Sequence, residues 1–115
     1  MKLIIAGSRH LHISIEQLKD MLFLYKLTPS QIVCGMAKGI DSCGYLFGQY
    51  YLNVPIKEFH ADWNTYGSSA GPLRNYAMAK YSDALLLIWD GKSNGSKNMK
   101  KCMEKLKKPI YEVII

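Results

Sequence analysis

The stretch Ala84-Leu-Leu-Leu-Ile-Trp89 decides the fold class of this 115-residue chain. Six consecutive apolar residues are typical of a strand that is covered on both faces, as in the centre of a parallel sheet. The polar segment Asp90-Gly-Lys-Ser-Asn-Gly-Ser-Lys97 follows directly, and Ser96 is expected to open a helix there. A buried strand that leads through a polar loop into a helix is the repeating unit of an α/β protein.

Four further apolar runs are predicted to be strands: Lys2–Ala6, Ile32–Cys34, Ile56–Phe59 and Ile110–Ile115. Pro55 and the charged pair Lys57–Glu58 suit an edge strand, so the third run is expected at an edge of the sheet. Helical spacing predicts a helix after each of the first four strands. We therefore expect one α/β domain over residues 1–115 with a Rossmann-like, doubly wound, mostly parallel five-stranded sheet and helices on both faces.

Local signals predict where these helices lie. Ser14 and Gln17 have the spacing of a capping box at the start of the first helix. The second helix is expected over Ile40–Tyr51. A long polar loop is expected after the third strand, and Pro72 is expected in the first turn of the third helix. The inward stripe of that helix is predicted to be Leu73, Ala77, Met78 and Tyr81.

The composition is that of a globular protein, with 49% hydrophobic and 21% charged residues. Fifteen basic against nine acidic residues give a net charge of +6, which attracts anions such as nucleic acid, free nucleotides or acidic membranes. Much of the excess of basic residues lies late in the chain, where it fits either a solvated helix face or a nucleic-acid-binding patch. The lysines concerned are Lys97, Lys100, Lys101, Lys105, Lys107 and Lys108.

Several classes of protein are not indicated. The longest apolar run is far shorter than the roughly 20 residues that cross a bilayer, so no membrane partner is expected. The three cysteines have no paired spacing and no cleavable signal precedes the first apolar run, so a cytoplasmic location is expected. No zinc spacing, phosphate-binding NTPase loop or complete dinucleotide motif is present, which argues against a structural metal, an NTPase and a dinucleotide oxidoreductase.

Three glycine-bearing loops follow the predicted strands, at Gly7–Arg9, Gly35–Asp41 and Asp90–Lys97. In a doubly wound sheet, ligands bind beyond the carboxyl ends of the strands, so these loops are expected to converge on one site. Glycine allows close approach of the backbone, and amides and serine hydroxyls there can donate to phosphate oxygens. Short strand-to-helix turns also need glycine and serine for structural reasons, and that alternative stays open.

Arg9 and Arg74 are arginines in a lysine-rich chain, and a guanidinium group matches phosphate in a two-pronged geometry. Arg74 and Asn75 are expected in the first turn of the third helix. A cation there is unfavourable unless an anion lies nearby, which favours a ligand. The alternative is a surface arginine that lies over the aromatic ring of Trp63 or Tyr66.

Three loop aspartates, Asp41, Asp62 and Asp90, are candidates to accept from a ribose hydroxyl, to hold a magnesium ion, or to act as catalytic acid or base. Asp41 and Asp90 also suit a helix start and a turn, respectively. Trp63 and Tyr66 lie close to Asp62 in the sequence and can stack a nucleobase. The catalytic residues, if any, and the need for magnesium are left open.

Five segments in this order resemble the YspA-like branch of the SLOG superfamily, which joins the DNA-processing Smf/DprA proteins and the LOG phosphoribohydrolases: Gly7–Arg9, Gly35–Asp41, Ala61–Trp63, Ala70–Asn75 and Trp89–Asn98. The resemblance implies a Rossmann-like domain that senses or processes nucleotides or nucleotide-derived signals of the ADP-ribose type. Together, the loops and the resemblance predict these ligand-binding residues: Gly7, Ser8, Arg9, Gly35, Met36, Ala37, Gly39, Asp41, Asp62, Trp63, Arg74, Asn75, Asp90, Ser93, Gly95 and Ser96.

The chain departs from the family pattern at three positions. Met36 replaces a usual glycine, which would narrow access to the second loop, His60 replaces a proline, and His12 replaces a frequent acid. Proteins of the phosphoribohydrolase branch resemble one another in a Pro-Gly-Gly-x-Gly-Thr-x-x-Glu pattern after the fourth strand. The corresponding segment here, Asp90–Asn98, contains no glutamate. Catalysis by that route is therefore not expected.

The leading hypothesis is a binding module that captures an ADP-ribose-like or cyclic nucleotide. It would act as a sensor, or as a sponge that sequesters a signalling nucleotide in phage–bacteria conflict. A hydrolase that cleaves an N-glycosidic or phosphate bond is the second hypothesis, and nucleic-acid binding in the manner of DprA is the third. The resemblance also implies a homo-oligomer.

Overall fold

The two most apolar strands lie at the centre of the sheet. In the computed structural model, which describes residues 1–115, β1 (Lys2–Gly7) pairs with β4 (Ala84–Trp89) in parallel. All six residues of β4 are buried. Neither strand carries a charge in its interior, so both tolerate cover on two faces.

The remaining strands extend the sheet on either side of this pair. β2 (Gln31–Cys34) and β3 (Ile56–Glu58) follow beside β1, and β5 (Ile110–Ile114) lies beside β4. The order is β3-β2-β1-β4-β5, and every neighbouring pair is parallel. The predicted strands and the edge position of β3 are confirmed, and the sheet is parallel throughout rather than mostly parallel.

Five α-helices connect the strands: α1 (Ile15–Leu24), α2 (Ile40–Leu46), α3 (Trp63–Tyr66), α4 (Ala70–Tyr81) and α5 (Asn94–Lys105). A π-helical segment, Phe47–Leu52, continues α2. The predicted capping box is present, since the Ser14 Oγ accepts from the Gln17 amide at 3.0 Å and the Gln17 Oε1 accepts from the Ser14 amide at 2.8 Å. None of these helices has the length and apolar character needed to span a membrane.

The helices cover the sheet on both faces. On one face, Leu18 of α1 and Ile40 of α2 pack in a buried cluster with Leu3 of β1. On the other face, Met78 of α4 and Met99 of α5 pack in a second buried cluster. The chain changes face between β3 and β4, so the connections that leave β1 and β4 run to opposite sides of the sheet. The predicted doubly wound fold is confirmed, with its topological switch point between β1 and β4.

The segment that was expected to be a long polar loop contains regular structure. Asp62 caps the short helix α3, and a 3-10 turn, Gly67–Ser69, leads into α4. The sequence predicts Arg74 in the first turn of this helix. Because α4 begins at Ala70, Arg74 lies in the second turn. The argument from an unfavourable helix-end charge therefore does not apply to Arg74.

The inward face of α4 also differs from the prediction. Leu73 and Ala77 are exposed, whereas Asn75 is buried beside Met78. The prediction from apolar spacing is wrong here, because Asn75 is polar and is buried through hydrogen bonds of its side-chain amide to other buried or partly buried groups, described below. Likewise α5 begins at Asn94, so Ser96 is its third residue rather than its N-cap.

Candidate functional site

Ser8 joins the two loops that leave the switch point. Its side chain is 1% exposed, and its Oγ accepts a hydrogen bond from the Asp90 amide at 3.1 Å. The Ser8 Oγ also lies 3.2 Å from the Oγ of Ser93, the N-cap residue of α5. Ser8 therefore holds the first and fourth strand ends together and lines neither of the two clefts described below.

A cleft of about 290 Å³, here called the main cleft, opens at this switch point. Its volume lies near the lower end of the range for small-molecule sites. It brings together most of the predicted site residues from four separate segments. Those that line it are Gly7, Arg9, Ala37, Asp41, Arg74, Asn75, Ser93, Gly95 and Ser96.

A second cleft of about 230 Å³, here called the side cleft, adjoins the main cleft. Arg9, Ala37 and Arg74 line both. The predicted residues Gly35, Met36 and Trp63 line the side cleft but not the main cleft. His60 and Ala61 also line the side cleft. The predicted site is thus divided between two adjoining clefts, one beside α5 and one beside α3.

Arg74 is held in place at the boundary between the two clefts. Its Nη1 donates to the carbonyl oxygen of Gly35, and its Nε donates to Asn75 Oδ1 at 3.0 Å. Asn75 in turn donates to the Gly95 carbonyl oxygen at 3.3 Å and to Asn98 Oδ1 at 3.0 Å. This network fixes the guanidinium group relative to the start of α5, while Arg74 Nη2 has no hydrogen-bond partner in the protein.

The charges around the main cleft are predominantly positive. Arg9 is exposed and forms no ion pair, and Arg74 forms none either. Burial lowers the pKa of Arg74, a shift that Asp41 opposes, but a guanidinium group stays protonated in proteins. Asp41, which is 5% exposed, is the one carboxylate that lines the main cleft.

The pKa of Asp41 is raised above its ordinary value, chiefly because burial disfavours the charged carboxylate. Its Oδ2 accepts from the Ala37 amide at 3.3 Å, and this bond and the charges of Arg74 and Arg9 oppose the shift. Asp41 makes no ion pair within 4 Å.

The first turn of α5 presents donors that the protein itself does not use. Ser93 is the N-cap residue, but its side chain makes no capping bond to the helix. The amides of Asn94, Gly95 and Ser96 have no acceptor within the chain. The Ser96 side chain lines the main cleft, is 5% exposed, and its hydroxyl has no hydrogen-bond partner. Free amides at a helix N-terminus, together with the helix dipole, favour an anion.

Several predicted site residues lie outside both clefts. Asp62 accepts from the Thr65 amide at 3.2 Å, as the cap of α3. Asp90 accepts from the amides of Lys92 and Ser93 at 2.8 and 3.0 Å, and these bonds lower its pKa. Gly39 takes φ +74° in a turn where a side chain would collide with the Arg9 carbonyl oxygen. With Ser8, these residues shape the loops that carry the clefts.

Sequence reasoning missed other residues that line the clefts. His10 and Asn94 line the main cleft beside the predicted residues, as do Met78 and Met99 from the core-facing sides of α4 and α5. His10 directly follows Arg9, so its place in the loop was a usable signal. The prediction that this helix begins at Ser96 leaves Asn94 in the preceding loop, whereas Asn94 is the first residue of α5.

No group of three or more His, Cys, Asp or Glu residues lies close enough to hold a metal ion. A magnesium ion in the main cleft would have Asp41 as its one protein carboxylate, and would depend on ligand and water oxygens for the rest of its coordination.

Comparison of this chain with protein-family models, with curated proteins and with solved structures found no match.

Proposed function

We propose that this protein binds a small, phosphate-bearing, nucleotide-like molecule with its phosphate in the main cleft. The observation that carries the proposal is the convergence on one cleft of Arg9, Arg74 and the unpartnered first turn of α5. Two cations and a row of free donors suit the oxygens of a phosphate group. A site beyond the carboxyl ends of β1 and β4 is also where doubly wound sheets bind such ligands.

The geometry favours a ligand that is held rather than one that is merely attracted by net charge. Arg74 is positioned by Gly35 and Asn75 before any ligand arrives, so little side-chain freedom is lost on binding. Asp41 is the one carboxylate in the main cleft, and the two guanidinium groups of Arg9 and Arg74 outnumber it. A sensor or a sequestering protein for a nucleotide-derived signal, as the SLOG resemblance implies, needs these binding features and no turnover.

A hydrolase that cleaves an N-glycosidic or phosphate bond is the second candidate. Among the three candidate aspartates, Asp41 alone lines the main cleft, and a buried carboxyl group with a raised pKa suits a general acid. On this proposal Asp41 would protonate the leaving group. Release of base, sugar or phosphate from a bound nucleotide, and its loss in Asp41→Asn, distinguish this function from binding alone.

Nucleic-acid binding has weaker support, because two of the lysines late in the chain, Lys100 and Lys108, bond to groups within the protein. The Lys100 Nζ lies 3.0 Å from Glu112 Oε1, and the Lys108 Nζ donates to the carbonyl oxygens of Ala79, Lys80 and Ser82 at the end of α4. A nucleic-acid complex would weaken steeply with added salt and would be indifferent to mononucleotides.

The test is native mass spectrometry of the purified protein against AMP, ADP-ribose and cyclic dinucleotides, followed by denaturation and analysis of the released molecules. An intact nucleotide bound one per site supports the binding module, and released fragments support the hydrolase. Arg9→Ala should weaken the complex at least tenfold, since a charged hydrogen bond contributes about 1.5–3 kcal/mol. Lys97→Ala, which removes an exposed charge from α5 outside both clefts, is the matched control.

A further inference from the structure

The side cleft has an indole ring in its wall, and the main cleft has none. It is lined on one side by the loop after β2 and on another by the start of α3, which contribute a thioether from Met36 and an indole from Trp63. Arg9 and Arg74 lie at its junction with the main cleft. A ligand whose phosphate binds beside α5 can therefore extend past the two arginines into a recess that Met36 and Trp63 both line.

We propose that the side cleft is a nucleobase subsite, in which Met36 and Trp63 contact the two faces of one planar base. This inference rests on the proposed function and adds the class of ligand: a nucleoside 5′-phosphate or its derivative, with phosphate and base at opposite ends. One base, rather than a stacked pair, suits a recess of about 230 Å³.

Trp63 is positioned for this role, because one part of its ring packs on the fold and the rest is exposed. It is 51% exposed, and its Nε1 makes no hydrogen bond within the protein. Its Cη2 atom lies 3.4 Å from the place that a β-carbon on Gly71 would occupy, so the ring edge rests on the first turn of α4. A large exposed aromatic ring that is fixed at one edge offers a stacking surface at low entropic cost.

Met36 is held in a backbone conformation that a side chain disfavours. Its φ is +60°, in the left-handed region, where glycine is the usual residue. The side chain is 36% exposed and lines the recess that Trp63 also lines. Backbone strain of this kind is concentrated at ligand sites, and a polarizable thioether makes favourable contacts with aromatic rings.

The test compares ligands with and without a base. The probes are AMP, GMP, CMP, UMP and ribose 5-phosphate, titrated by calorimetry and by tryptophan fluorescence. Because Trp89 is 5% exposed and its Nε1 donates to Glu112 at 2.7 Å, quenching by a base reports mainly on Trp63. We expect at least one mononucleotide to bind tenfold or more tightly than ribose 5-phosphate and to quench the fluorescence.

The variants separate the subsite from the phosphate site. Trp63→Ala and Met36→Gly should each weaken binding of that mononucleotide at least fivefold and change ribose 5-phosphate binding less than twofold. Tyr66→Ala is the matched control, since Tyr66 is a 54% exposed aromatic residue of the same helix that lines neither cleft. Met36→Gly should not lower the melting temperature, so weaker binding there cannot be assigned to unfolding.

Three outcomes would overturn the inference. If all four mononucleotides bind no more tightly than ribose 5-phosphate, or if Trp63→Ala leaves their affinity unchanged, the base does not lie in the side cleft, while the phosphate site stands. If none of the five probes binds and no nucleotide co-purifies, both the subsite and the proposed function are wrong.

Discussion

The hydroxyl of Ser93, the N-cap residue of α5, lies 3.2 Å from the hydroxyl of Ser8 and makes no hydrogen bond to its own helix. A serine at this position ordinarily accepts from an amide of the first turn. Here it is engaged by the end of β1 instead, and the amides of Gly95 and Ser96 stay free. The contact between Ser8 and Ser93 thus joins the two loops and also leaves the Gly95 and Ser96 amides free to donate to an anion.

Ser8→Ala should therefore weaken both the fold and the site. It removes the acceptor of the Asp90 amide and releases Ser93, which can then cap α5 and compete with a ligand. Loss of an acceptor for a buried donor costs about 1–3 kcal/mol in the free energy of unfolding. Urea denaturation measures this loss, with Ser68→Ala at an exposed position as control. Unchanged stability would show that the Ser8 contacts are not needed.

Ser96→Asp should separate stability from binding. A carboxylate in the first turn of a helix interacts favourably with the free amides and with the helix dipole. Because Ser96 is 5% exposed, burial of the carboxylate opposes this gain. The same carboxylate would occupy the phosphate position and repel the ligand. We expect a change in melting temperature that is small beside the loss of phosphate-ligand affinity, which should exceed a hundredfold. Ser96→Ala, which removes one hydroxyl donor, should reduce affinity only about tenfold.

Asp41 should make stability depend on pH in a specific direction. Because its pKa is raised in the folded protein, the folded state binds the proton more tightly than the unfolded state does. Stability from this group therefore falls as pH rises from its ordinary pKa of 3.8 through the raised value. Asp41→Asn should gain stability relative to the wild type across that window and keep the gain at neutral pH. Urea denaturation at several pH values tests this. Asp20→Asn, at an exposed position of α1, is the control.

An equal pH profile for wild type and Asp41→Asn would contradict the raised pKa. The same variant should bind a phosphate ligand more tightly, since it removes the one carboxylate that lines the main cleft. Weaker binding would instead indicate that Asp41 accepts a hydrogen bond from the ligand.

Arg74→Lys should lose affinity even though the charge is retained. A lysine ammonium group cannot bond to Gly35 and Asn75 while it also faces the ligand, because it lacks the planar, forked donor geometry. We expect at least a tenfold increase in Kd for AMP or ADP-ribose by calorimetry, with Lys97→Arg as the control. An affinity within twofold of the wild type would show that Arg74 supplies charge alone, or does not touch the ligand.

The fold class was predictable because its signals are local. Ala84–Trp89 is apolar at every position, and Ser14 with Gln17 forms the expected cap. The inward face of α4 was not predictable from apolar spacing, since Asn75 is buried through bonds to Gly95 and Asn98, which lie 20 and 23 residues further along the chain. Such partners become visible only when α4 and α5 are placed side by side.

The candidate site was predictable at the level of loops but not of side-chain roles. Glycine and serine spacing placed the three loops, and the parallel sheet brought their ends together. The same residue type then serves different purposes: Asp41 lines the main cleft, whereas Asp62 caps α3 and Asp90 orders its loop. Spacing alone cannot separate these roles, because each depends on which amide lies within hydrogen-bond distance of the carboxylate.

The most direct test of the central claim is the response of the α5 amides in a two-dimensional ¹H–¹⁵N NMR titration with AMP and ADP-ribose. We predict saturable shifts of the amide resonances of Asn94, Gly95 and Ser96, together with those of the Arg9 and Arg74 side chains. The shifts should be lost in Ser96→Asp. If saturable shifts appear only on the exposed lysine face of α5, or if neither nucleotide shifts these amides at millimolar concentration, the main cleft is not the phosphate site.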